Sequence, residues 1–156
     1  MSPRVPRPLS PQQGILFGGL VAGALDITYA MVRAHLQGRS AIGAVKAVAS
    51  GILGVKAFQG GNEMFVLGLA LHFLIACSAA GIYLLASRRI PLLRERLCLP
   101  GALFGVGVYL VMNFVVLPLS AVPFKLSYPP LTVAAGLLVH IFLIGLPIAY
   151  FAGRVR

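Results

Sequence analysis

Charge is scarce in this chain, and carboxylates are scarcer: 10% of its 156 residues are charged, and only three are Asp or Glu. A soluble domain needs far more polar surface to cover its core, so that class is excluded. Cysteine is limited to Cys77, inside an apolar run, and Cys98, in a basic connector. Neither belongs to a CxxC pair, and their different settings argue against a disulfide. Phosphate-binding loop, nucleophile elbow, zincin helix and dinucleotide fingerprint are all missing, so no enzyme class has a local signature. No internal repeat or low-complexity tract stands out either.

What the chain does have is apolar length. Met64 to Ala86 contains no Asp, Glu, Lys or Arg and ends at Arg88 and Arg89. A helix of that length crosses a hydrocarbon core of about 30 Å at about 1.5 Å per residue. Comparable runs cover 14–32, 101–119 and 131–152, which predicts an all-α membrane protein of four transmembrane helices in an up-down bundle. Residues 1–13 are rich in proline and read as an irregular cytoplasmic leader. A signal peptide is the competing reading of the N-terminus, but the apolar run continues past Ala22-Gly23-Ala24, its candidate cleavage site. Gly14, Gly18, Gly19 and Gly23 repeat at four-residue spacing, as do Gly101 and Gly105, and predict close helix packing. Pro118 and Pro147 remove backbone donors and predict bends, freeing the carbonyls of Phe114 and Leu143.

Between the first two spans, residues 41–57 show helical periodicity. Lys46 and Lys56 interrupt the segment too closely for a crossing, so it reads as an interfacial or re-entrant amphipathic helix. Its small residues, Gly43, Ala47, Ser50, Gly51 and Gly54, form a side suited to packing on the bundle. It is either a surface connector or a lid over a site beneath. The net charge of +10 sits in clusters at the ends of apolar runs, which speaks for lipid headgroups and topology and against nucleic acid. With four spans, Arg4, Arg7, Arg88, Arg89, Arg94, Arg96, Arg154 and Arg156 share one side. Arg33, Arg39, Lys46, Lys56 and Lys125 share the other. Eight against five places both termini in the cytoplasm. Tyr83, Tyr109 and Tyr150 read as an aromatic belt near that boundary, His35 as a solvated residue at the other, and Asn62 and Glu63 as the cap of the second span.

Each span carries one strongly polar residue: Asp26, His72, Asn113 and His140. Counted from the same face of the bundle, all four lie roughly 10–15 Å deep at the rise of an α-helix. A carboxylate at that depth is costly on insertion scales, about 2.5–3.5 kcal/mol, so it should face the interior and find a partner. The four residues read as a hydrogen-bonded clasp, with at least one imidazole within hydrogen-bond or one-water reach of Asp26, or as a site for a small solute or for protons. Haem b with His72 and His140 as axial ligands is one alternative. A metal held by His72, His140 and Asp26 is another, weakened by the lack of local ligand spacing.

The strings ASGILG, LGLALHFLIA, YLVMNFVVLPLSAVP and LLVHIFLIGLPIA resemble a group of short four-helix membrane proteins of proteobacteria over residues 14–153. More distantly, the order of elements resembles the YagU family of bacterial inner-membrane proteins, linked to acid tolerance. The resemblance implies a bacterial inner-membrane location and draws attention to His72, Asn113, Pro118 and His140. Together these features point to a non-enzymatic membrane protein with a buried polar site and no cofactor, in contact with the lipid bilayer. The alternative is a haem-binding or accessory subunit, with a homo-oligomer or a larger membrane complex as its setting.

Overall fold

The computed structural model describes residues 8–155. Four long helices make the bundle: α1 (Pro11–Leu36), α4 (Asn62–Arg89), α6 (Cys98–Leu119) and α7 (Pro130–Gly153). Each is long and apolar enough to cross a membrane, with mean hydropathy between 1.8 and 2.3. Three short elements join them: α2 (Ala41–Leu53), α3 (Lys56–Gln59) and α5 (Leu92–Glu95). The protein is an all-α, four-helix membrane bundle.

The first helix starts earlier than its composition implies. Ser10 accepts from the Gln13 backbone N–H, Gln13 answers through its own side chain to the Ser10 N–H, and Pro11 fills the first helical position. This capping box satisfies two donors that would otherwise be orphaned, and proline there loses no needed hydrogen bond. The irregular leader expected over 1–13 is therefore corrected from Ser10 onward; residues 1–7 lie outside the described residues. Leu9 N–H donates to the Arg154 carbonyl at 2.9 Å, so the two ends of the described chain meet at one end of the bundle.

That end holds the packed core. Tyr83, Leu84, Ile148, Ala149, Ala152 and Val155 are buried together there. The Tyr83 hydroxyl donates to the Leu93 carbonyl at 2.9 Å, and its ring meets Phe104 edge-on at 4.9 Å. The aromatic-belt reading fails for Tyr83 and for Tyr109, which are 1% and 5% exposed. A buried tyrosine keeps its ring in the core if its hydroxyl finds an acceptor, and α5 folds back to supply one. Tyr150 remains exposed.

Glycine decides how the helices approach. A methyl group on Gly19 would lie 2.6 Å from Cys77 Cα, and one on Gly23 would strike the Phe73 ring at 2.8 Å. Gly14 faces Val155, and Gly18 faces Phe151, Ala80 and Ile148. All four glycines of the first span lie against neighbouring helices, as their spacing predicted. Gly101, Gly105 and Gly145 bring α6 and α7 into backbone contact: a methyl on Gly145 would lie 2.8 Å from the Gly105 nitrogen. Missing Cβ atoms allow this approach, and dispersion over the long contact holds it.

The amphipathic segment is not one helix over 41–57. Gly54, at φ +57, ends α2, and α3 starts after it. A positive φ is easy only for glycine, so the break is written into that residue. Val45, Ala49 and Ser50 are the buried side of α2, and a methyl on Gly68 of α4 would fall against the Val45 backbone. Ile42 and Ile52 face outward. The far end of α2 is tied to the α6–α7 link by the Ala121 N–H, which donates to the Gly51 carbonyl at 2.8 Å.

Candidate functional site

Away from the packed end the helices separate around two cavities. The smaller, of about 250 Å³, is lined by Asp26, His72, Asn113 and His140 among mostly apolar neighbours, with Val48 of α2 on its wall. The four polar residues, one from each long helix, thus border a single space. The larger cavity, of about 540 Å³, lies between them and the end that carries Arg33 and Arg39. Asp26, Asn113 and His140 line both cavities and so form the boundary between them.

Helical periodicity builds the larger cavity. Along α1, Asp26, Tyr29, Ala30 and Arg33 fall at i, i+3, i+4 and i+7, which is one face. Along α7, Thr132, Gly136 and His140 recur every four residues on the facing side. Seven residues of α1 and eight of α7 correspond to roughly 10–12 Å from floor to mouth at about 1.5 Å per residue. The small residues Gly43, Ala44 and Ala47 of α2 line the same space. So α2 walls this cavity through its small side, and that role goes beyond a connector's.

Two π-helical turns set the polar floor. In α6 the stretch Met112–Val116 is π-helical, and in α7 the stretch His140–Gly145. Asn113 and His140 therefore both stand on π turns, which widen the helix locally and recur at functional sites. The prolines explain their position. The N–H of Leu117 reaches five residues back to Met112, and in that register Pro118 would have served Asn113. Proline has no N–H, and the Asn113 carbonyl instead accepts from the Tyr128 hydroxyl at 2.7 Å. In α7, Leu146 likewise reaches Ile141, and Pro147 follows it with no N–H to give. The prolines expected to bend these helices thus stand at the ends of two π turns.

The polar side chains are not clasped to one another. His72 donates from Nε2 to the Gly23 carbonyl at 2.8 Å, and His140 from Nδ1 to the Gly136 carbonyl at 2.9 Å. A carbonyl can only accept, so each bond fixes a tautomer: Nε2–H on His72 and Nδ1–H on His140. Asn113 donates to the Tyr109 carbonyl one turn back at 2.9 Å. Among the described residues no group donates to the Asp26 carboxylate, so the expected Asp26–imidazole pairing is not made by a direct hydrogen bond. The reason is local: each imidazole and the amide find a helix carbonyl closer at hand, whereas a carboxylate can use only donors. Asp26 is half-buried at the edge of both cavities, which His140 also lines.

The alternatives for a bound cofactor meet this geometry poorly. Among the described residues, no three His, Cys, Asp or Glu side chains converge as metal ligands, His72, His140 and Asp26 included. For haem, Nε2 of His72 is already engaged by Gly23, and the space the two histidines share is below the ~300 Å³ of small-ligand pockets.

No family model, curated protein or solved structure matches the chain. The resemblance to short bacterial membrane proteins therefore rests on the sequence strings alone, and function must be argued from the cavities. Sequence reasoning missed Tyr109 and Tyr128 as parts of the site. Tyr109 sets its ring edge-on to His140 at 5.3 Å and occupies the room left by Gly136. Its position one turn before Asn113 was the available signal. Tyr128 stacks on Phe114 at 5.1 Å and had no signal beyond its prolines, because its role depends on the loop folding back.

Proposed function

We propose that this protein is a non-enzymatic membrane protein of the bacterial inner membrane that binds, or passes, a small solute or protons through its polar site. The observation that carries this reading is the shared boundary: Asp26, Asn113 and His140, from three helices, line both cavities. A hydrogen-bonded clasp would have turned these groups onto one another. Instead the carboxylate is left open to the space, at a depth where an unpartnered charge is expensive. In this reading the larger cavity admits the solute from the Arg33 side, and the smaller one accepts protons or water beyond the boundary. The arginine count supports a cytoplasmic side for the end where Leu9 meets Arg154, with the larger cavity opening on the opposite face.

Cysteine accessibility tests it. In a background with Cys77→Ser and Cys98→Ser, Ala47→Cys reports on the larger cavity and Ala79→Cys on the smaller. A small charged thiol reagent is expected to label Ala47→Cys in liposomes, and Ala79→Cys more slowly. Labelling at 47 alone leaves a binding site and removes the through-path. No labelling at 47 defeats the reading altogether.

A further inference from the structure

Resting on the reading of the larger cavity as a solute site, we infer that its ligand is an elongated zwitterion, with a cationic nitrogen at Asp26 and an anionic group at Arg33 and Arg39. The cavity has opposite charge at its two ends. At the floor stands Asp26, a carboxylate that no group donates to among the described residues. At the mouth stand two guanidiniums, whose side-chain partners are neutral: Thr132 for Arg33 at 3.4 Å, and Gln37 for Arg39. The chain has only two other acidic residues, Glu63 and Glu95, and neither lines this space. Among the described residues neither end is hydrogen-bonded to a group of opposite charge, so a ligand carrying both charges completes both ends at once.

Spacing fixes the ligand's shape. Floor and mouth are separated by seven residues on α1 and eight on α7, so the two charges must lie roughly 10 Å apart. The walls between them are aromatic and small: Tyr29, Tyr109, Phe58, Phe124 and the Gly43–Ala47 side of α2. Such walls suit a methylene chain, and aromatic lining also suits an ammonium group. A short zwitterion such as glycine reaches only one end. A simple carboxylate leaves Asp26 unpaired in a half-buried site.

The test is a binding series on the full chain in phosphatidylglycerol nanodiscs, read by equilibrium dialysis. 8-Aminooctanoate carries both charges at the required spacing; octanoate, octylamine and glycine each lack one feature. We expect 8-aminooctanoate to bind at least about tenfold more tightly than any of the other three, the size of one charge-assisted hydrogen bond. Asp26→Asn should bring it down to the level of octanoate, and Arg33→Gln with Arg39→Gln to that of octylamine. The ligand series speaks even if a variant fails to fold. Octanoate binding as tightly as 8-aminooctanoate overturns the zwitterion while leaving a solute site in place, as does glycine binding equally well. No saturable binding by any probe also overturns it, and the labelling of Ala47→Cys then decides separately whether the cavity is a site at all. A phosphatidylethanolamine headgroup carries the same two charges on a much shorter linker, so it should reach only one end of the cavity. Probe binding should therefore be unchanged when phosphatidylethanolamine is added to the discs, and its loss would overturn the elongated ligand and assign the site to a lipid headgroup.

Discussion

Replacing Gly105 with alanine adds one methyl group, and the structure says where it goes. The new Cβ would fall on the His140 carbonyl, 2.7 Å from its carbon and 2.8 Å from Ile141 Cα. Ordinary carbon–carbon contact begins near 3.5 Å, so the methyl is short of room by roughly 1 Å on a backbone, not on a flexible side chain. α6 and α7 must move apart, which loosens the backbone contacts of Gly101 and Gly145 as well. Overpacking of this kind costs about 1–3 kcal/mol. For a chain of this length that lowers Tm by on the order of 2–12 °C. Gly107→Ala is the internal control: it lies on the same helix, and a methyl there meets nothing within 4 Å. Since alanine is the better helix former by about 0.5–1 kcal/mol, Gly107→Ala should melt at the wild-type temperature or slightly above. Thermal loss of helical circular dichroism in detergent separates the two. Equal melting temperatures for Gly105→Ala and Gly107→Ala would refute the backbone contact between these helices, and with it the placement of His140.

Three further outcomes follow from the same geometry. Gly19→Leu should melt well below wild type, because any side chain there meets Cys77 backbone, whereas Leu20→Ile, on a residue 40% exposed, should be nearly silent. Tyr128→Phe removes the donor to the Asn113 carbonyl and should cost about 1–3 kcal/mol if that carbonyl stays dry. Faster amide exchange over 120–129, with the rest of the chain unchanged, is the expected signature; unchanged exchange would mean that water replaces the hydroxyl. Reporter fusions after Gly38 and Gly60 should both report the periplasmic face, because α2 and α3 lie between two crossings without making one. Opposite reports would mean a fifth crossing and would dissolve the shared polar depth.

Four crossings were legible in the sequence because hydrocarbon imposes a one-dimensional rule. Only long uncharged helices satisfy their backbone there, and composition displays them directly. The packing glycines of the first span were legible for a similar reason, since four-residue spacing puts them on one helix face whatever the partner. The one polar position on each apolar run was legible too, and Asp26, His72, Asn113 and His140 border one cavity. Direction and partnership were not. Whether Asp26 would meet an imidazole depended on what each imidazole found first, and His72 and His140 found carbonyls of Gly23 and Gly136 that only the assembled helices bring near. Nor could the prolines announce π turns, because the choice between four- and five-residue registers is settled by the neighbours: Tyr128 folding back on Asn113, and Gly105 seating the His140 backbone. The larger cavity belongs wholly to tertiary structure. Its two charged ends are visible along α1 as Asp26 and Arg33, but the space between them exists only because α2 turns its small side inward and Gly136 yields room to Tyr109. Periodicity records which residues share a face; only packing decides whether that face is filled or left open.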